Sequence, residues 1–170
     1  MKIIEAMKRI KELSVKAADL QNKVGATCAH MDIETPLYAD PKSQVTEWIQ
    51  AHHDIVKEIL KLRTGIQRTN LATTVTIEIA GRQVTHSIAE WIHRRRDLAN
   101  LEMQMWGKLG DRGLKEGAIG SSTGGEARIV KIVRNFDPKQ RDAMVDEYRS
   151  EPSKIDGTLE VVNAVTELMA

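Results

Sequence analysis

Two short segments place an indole one helical turn ahead of a basic residue. Glu47-Trp48-Ile49 is followed by His52-His53-Asp54-Ile55, and Glu90-Trp91-Ile92 is followed at the same spacing by Arg95-Arg96-Asp97-Leu98. On a wheel advancing about 100° per residue, Ile88, Trp91, Ile92, Ala99, Trp106 and Leu109 form one stripe, with Arg95 and Glu102 near its middle. The same construction puts His52 and Arg63 in the middle of the stripe of Val45, Trp48, Ile49, Ile55, Val56 and Ile59. Each helix therefore aims a basic residue inward, and a guanidinium taken out of water must be compensated. A guanidinium is a fork for phosphate or carboxylate oxygens, and an indole is a face for a flat ring. Arg95, with Arg96 and His52, beside Trp48 and Trp91, thus predicts a site for a small nucleotide-like anion.

The same residues allow a second reading, in which the charges pair internally or across subunits with Glu102, Glu58, Asp54 or Asp97. The repeat itself fits either duplication or reuse of Trp, Ile and charge by amphipathic helices. Other chemistry is less well supported. His52, His53, His86 and His93 include no pair at the i, i+4 spacing of a helical metal chelate, so no metal is expected, and His53 and His93 are expected to face solvent. Gly120 to Gly125 spaces its glycines as a phosphate-binding loop does, but Glu126 and Ala127 stand where Lys and Ser or Thr are required. A flexible hairpin tip is the expectation there. Arg94-Arg95-Arg96 point in different directions on a helix and make no single patch. Without a nucleophile elbow, a Cys-His dyad or paired carboxylates, a non-catalytic role without a cofactor is expected, and a metal-assisted hydrolase is the third alternative.

The elements that must position these residues are mostly helical. From Ile3 to Val24 a heptad runs through Ile3, Ile10, Ala17 and Val24 on one row and Ala6, Leu13 and Leu20 on the other. Gly25 is a plausible stop, and 31–40 reads as a loop ending in Asp40-Pro41, a cap followed by a first-turn proline. A second helix carries Val45, His52, Ile59 and Ile66 on one row, with Trp48, Ile55 and Leu62 on the other. Narrow seams of this kind are completed by partner helices, so a homo-oligomer is expected.

Between Thr73 and Thr85 the period becomes two, and Gly81 supplies a turn, which predicts a hairpin near 73–86. Ser87 and Glu90 read as a capping box opening a third helix to about Leu109. A second hairpin is expected near 114–134. Asp137-Pro138 opens a fourth helix, and Ser153 with Asp156 caps a fifth that carries Ile155, Leu159, Val162, Val165 and Met169. The expectation is one mainly α domain over 1–170 with small β-hairpins, an α+β long-helix bundle completed by oligomerisation.

The bulk composition narrows the partners. Twenty-five Lys and Arg against 24 Asp and Glu leave a net charge of +1, which removes the global footprint of a bulk nucleic-acid binder. The single Cys28 points to a reducing, cytoplasmic setting. Lys2, Glu5, Lys8 and Arg9 interrupt any apolar run at the start, so neither a signal peptide nor a membrane partner is expected.

The segment from Thr69-Asn70-Leu71-Ala72-Thr73 through Ser87-Ile88-Ala89-Glu90-Trp91-Ile92-His93-Arg94-Arg95-Arg96 resembles the septicolysin-like family of short bacterial and phage proteins. The likeness extends through Asp111-Arg112-Gly113-Leu114-Lys115-Glu116-Gly117 and the ending Tyr148-Arg149-Ser150-Glu151-Pro152-Ser153-Lys154-Ile155-Asp156. It implies a compact helical fold with a hairpin, and Asn70, Thr73, His86 and Arg95 as a shared site. Thr74 joins Asn70 as a polar anchor from the hairpin. With 29% charged and 4% aromatic residues, the membrane lysis in the family name is not expected of this chain. For phage members, the expectation is sequestration of a host immune signal of the ADP-ribose class.

Overall fold

A computed structural model describes residues 1–119 and 128–169. Its elements are α1 (Ile3–Thr27), α2 (Pro41–Ala72), β1 (Thr74–Ile79), β2 (Arg82–Ser87), α3 (Ile88–His93), a wide π-helical turn (Arg94–Leu98), α4 (Ala99–Gly107), β3 (Gly117–Ile119), β4 (Arg128–Val130) and α5 (Pro138–Val165). The architecture is mainly helical with two small strand pairs, as the pattern predicts. The chain divides into two compact units, one of Met1–Thr74, Ser87–Ala89 and Leu159–Ala170, the other of Val75–His86 and Glu90–Thr158.

The first unit is built on α1 and α2, which run antiparallel: Arg9 Nε donates to Glu58 at 2.9 Å near one end, and Gln21 meets His52 at 3.0 Å towards the other. The heptad rows of α1 are its inner face, with Ile3, Ala6, Leu13 and Ala17 buried. On α2 the narrow rows Val45, Trp48, His52, Ile55, Ile59 and Leu62 are half-buried, while Ile49 and Val56 are exposed. Arg63 is exposed as well, which corrects its inward placement. In the 3.5-residue frame Ile49, Val56 and Arg63 share the position just past the Trp48, Ile55 and Leu62 row, and that flank of the seam stays in water. Asp40 caps α2 as expected, its Oδ1 accepting from the Ser43 N–H at 3.1 Å.

Gly65 lies inside α2, where glycine costs about 1 kcal/mol relative to alanine. The reason is close approach: a Cβ there would stand 2.9 Å from the Met169 carbonyl oxygen. Thr69, one turn on, donates from Oγ1 to the Gly65 carbonyl and accepts from the Met169 N–H, both at 2.8 Å. The C-terminal segment is thereby stitched to α2. It also pairs with the N-terminal segment through the Ile3 N–H to Thr166 bond and the Leu168 N–H to Met1 bond, of 3.0 and 2.8 Å.

In the second unit, Ala80 (φ 52°) and Gly81 (φ 72°) form the two-residue turn between β1 and β2. Val75 and Ile77, alternating inward, are buried. The third helix is not uniform. Its middle widens at Arg94–Leu98, where the Ala99 N–H reaches back to the Arg94 carbonyl. A turn with i→i+5 bonds accommodates one extra residue and shifts the inward face by one position. Ala99 is therefore buried, Met103 and Trp106 are half-buried, and Glu102 is exposed, which corrects its inward placement.

The fourth and fifth helices expected from sequence are one continuous element, α5, with Pro152 inside it. A proline removes one intrahelical donor but need not end a helix whose face is otherwise held. Here Glu151 and Ile155, on either side of it, are fully buried. β3 and β4 pair antiparallel with Gly117 opposite Val130. The expected hairpin tip at Gly120 to Gly125 lies outside the described residues. No described helix is long and apolar enough to cross a membrane.

Candidate functional site

Trp91 organises the second unit. Its indole is fully buried, and its Nε1 donates to the Val75 carbonyl at 2.9 Å, so this ring is a fixed wall of the hairpin. His86, on β2, packs edge-on against it at 4.8 Å between centroids. Immediately after this helical turn come the three arginines, and the wide turn separates their fates.

Arg94 is the inward one. Its Nε and Nη2 form a fork onto the two oxygens of Glu151 at 2.5 and 2.8 Å, and the carboxylate is fully buried. That hydrogen-bonded carboxylate raises the Arg94 pKa against the opposing effect of burial. The guanidinium carbon also stands 5.9 Å from the centre of the Tyr148 ring. Burial raises the Tyr148 hydroxyl pKa, with the negative charge of Glu102 adding to the rise and a hydrogen bond with Trp106 opposing it.

Arg95 is exposed at its side chain, 38%, and donates from Nη1 to Asp156 at 2.6 Å, which corrects its inward placement. Arg95 sits in the widened turn, where, as at Glu102 beyond it, a uniform wheel no longer holds. Its carboxylate partner comes from α5 and is none of the four expected. Arg96 is exposed and contacts His93 Nδ1 at 3.1 Å and Asp97 at 3.5 Å.

These elements line an open-sided cavity of about 410 Å³ whose walls include Arg82, His86, Arg94, Trp106, Tyr148 and Glu151. Its size falls in the usual range for small-molecule sites. The β1–β2 turn closes onto α5 beside it: the Ala80 N–H donates to Glu147 Oε1 at 2.7 Å, and Lys154 donates to the same oxygen at 2.6 Å. Lys154 first, then the Ala80 N–H, lower the Glu147 pKa. Ala80 also lines the cavity and holds a positive φ that a non-glycine residue adopts at a cost. The Arg82 side chain is exposed on the following strand, and among the described residues it has no ion-pair or hydrogen-bond partner.

Of the residues predicted from sequence, Trp91 and His86 line this cavity, and Arg95, Arg96 and Glu102 belong to the same unit outside its wall. Trp48, His52, Arg63, Asn70, Thr73 and Thr74 belong to the first unit. There Trp48 stands edge-on to Tyr38 at 5.3 Å, and Thr73 accepts the Ile88 N–H through its carbonyl at 2.9 Å. Thr74 is exposed, and Asn70 Oδ1 is buried without a hydrogen-bond partner among the described residues. His53 and His93 are exposed, as expected.

Sequence reasoning missed Arg82, Arg94, Trp106 as a wall, Tyr148 and Glu151. Among the described residues, no three His, Cys, Asp or Glu side chains converge as a metal would require.

No family model matches the chain, and no curated protein matches it. A solved structure from Corynebacterium diphtheriae, described as a functionally unknown conserved protein, is similar over 99% of both chains with a TM-score of 0.57 and 18% identity. At that identity the likeness establishes a shared fold alone.

Proposed function

We propose that the chain is a non-catalytic binding protein whose second unit takes a small nucleotide-like anion into the cavity lined by Trp106, Tyr148, Arg94 and Arg82. The single observation that carries the reading is Arg82, a cation without a partner among the described residues at a cavity with aromatic walls. Arg94 is neutralised by Glu151, so Arg82 leaves the wall with one uncompensated positive charge. An anion supplies the missing charge, and the flat faces of Trp106 and Tyr148 suit a ring. This moves the site from Arg95, which Asp156 occupies, to its neighbours in the same unit. The proposal keeps the septicolysin-like resemblance, a cytoplasmic setting and assembly into a homo-oligomer. For a phage member, the role would be sequestration of a signal of the ADP-ribose class.

A second reading has its own support. The Arg94–Glu151 and Arg95–Asp156 pairs are internal ion pairs, as a purely structural or protein-interaction bundle would use.

Thermal shift separates the two. Against AMP, ADP, ADP-ribose and cyclic nucleotides, a ligand at 100 times its Kd adds about 2.7 kcal/mol, which raises Tm by several degrees. Arg82→Ala should lose that rise and keep the unliganded Tm, because Arg82 supports no contact of the fold. The ligand should be recovered intact by chromatography. A panel that moves no transition favours the structural reading, and turnover would assign an enzyme instead.

A further inference from the structure

His86 and Arg94 line not only the aromatic cavity but also a second one, of about 440 Å³, in the same unit. The two cavities thus share a wall, and their remaining surfaces differ in chemistry. The first offers the rings of Trp106 and Tyr148. The second is more open to solvent and is bordered by Glu90, His93, Arg96 and Asp97 on and beside the π-helical turn, a local widening that recurs at functional sites.

The hydrogen bonds of that turn fix what it presents. A guanidinium has donors only, so the 3.1 Å contact between Arg96 Nη2 and His93 Nδ1 requires the histidine nitrogen to accept. With Nδ1 accepting, the His93 ring proton sits on Nε2, which is a second donor. Asp97 holds Arg96 Nε at 3.5 Å, which leaves Nη1 as the unengaged edge of the guanidinium. Arg96 Nη1 and His93 Nε2 are N–H donors with no protein acceptor among the described residues. Arg94 adds a third, because Glu151 takes its Nε and Nη2 and leaves its Nη1. Donors of this kind, grouped on one turn beside an aromatic cavity, match the oxygens of a second phosphoryl group.

We infer that the two cavities are one bipartite site for a nucleotide carrying at least two phosphoryl groups. The ring and first phosphoryl group lie in the aromatic cavity with Arg82, and the further phosphoryl group crosses the His86–Arg94 wall onto Arg96 and His93. The inference rests on the binding reading above and narrows it from any ring-bearing anion to a nucleoside diphosphate or its esters. It also accounts for the π-helical turn, which points Arg94 inward to the wall and leaves Arg96 outward on the second cavity.

The test is calorimetric titration of the full chain with AMP, ADP, GMP, GDP, UMP and UDP. For the nucleoside that binds, the diphosphate should bind about tenfold or more tightly than the monophosphate, as one additional charge-assisted contact provides. Arg96→Ala should reduce that preference to near unity while leaving monophosphate affinity and the unliganded Tm unchanged. Arg96→Lys, which keeps the charge without the fork, should restore part of it. Equal affinity for mono- and diphosphate, or a preference that survives Arg96→Ala, overturns the bipartite site and leaves the binding reading standing. Absence of binding by all six overturns the bipartite site, and absence of binding by ADP-ribose and the cyclic nucleotides as well overturns the binding reading.

Discussion

Arg94 and Arg95 are adjacent in sequence and meet carboxylates of opposite character. Glu151 is fully buried, and Asp156 is exposed at 61% of its side chain. The two pairs therefore differ in what their loss costs. Glu151→Ala should destabilise the protein by about 1.5–3 kcal/mol, because it strands a half-buried guanidinium, whereas Arg95→Met should change stability by about 1 kcal/mol or less. Arg94→Met combined with Glu151→Leu should recover most of the loss, since an apolar pair of similar volume no longer carries desolvated charge. Urea unfolding of the four proteins measures this, and a double variant as unstable as Glu151→Ala would contradict it. At this scale the sequence is informative about type and poor about identity. The tryptophan followed by basic residues does mark the right turn of the chain, yet the inward arginine is Arg94. No local pattern distinguishes it from Arg95, because its partner lies on α5, far along the chain.

The displaced arginine is a property of the element. Trp91 and Ala99 are both buried across five residues of π-helical turn, so the turn keeps one apolar face continuous through an extra residue. Removing a single residue should be tolerated there and nowhere nearby. Deletion of Arg95 should convert the widened turn to ordinary helix with Trp91, Ala99 and Trp106 still inward. Deletion of Gln104, which is exposed on regular helix, should rotate the remainder of α4 by about 100°. Circular dichroism melts of the two deletions should place the first well above the second, and the reverse order would show that the turn is not an insertion. The hydrophobic period makes the two long helices, the β1–β2 hairpin and the Asp40 cap legible. It assumes a constant advance per residue, which is why the widened turn escapes it. Pro152 misleads for a related reason: local propensity favours a break, and the buried Glu151 and Ile155 hold α5 through it.

At the scale of the whole molecule, acid stability depends on how residues 1–3 are joined to residues 165–168 in the first unit. Lys2 Nζ bonds Glu167 at 2.6 Å, and the terminal amino group bonds the same carboxylate at 2.9 Å. The hydrogen bond from Lys2, then that from the amino group, hold the Glu167 pKa at about 2, below its ordinary 4.5. A depressed folded-state pKa contributes stability above the unfolded value, and that contribution is lost as pH falls from about 4.5 to about 2. Glu167→Gln should therefore lower the urea midpoint at pH 7 and leave it equal to that of the unsubstituted protein near pH 2. A deficit that persists in acid would assign Glu167 a role other than its charge. Asp111, lowered chiefly by its hydrogen bond with Arg134, adds to the acid sensitivity of the second unit in the same direction.

The three tryptophans fall into three surroundings. Trp48 is edge-on to Tyr38 in the first unit, Trp91 is dry and hydrogen-bonded behind His86, and Trp106 stands at the cavity beside Tyr148. The molecule consequently carries its own optical reporters. Emission from Trp48 follows the α1–α2 pair, and changes at Trp106 and Trp91 record what enters the cavity they both line, all without a dye attached to the chain.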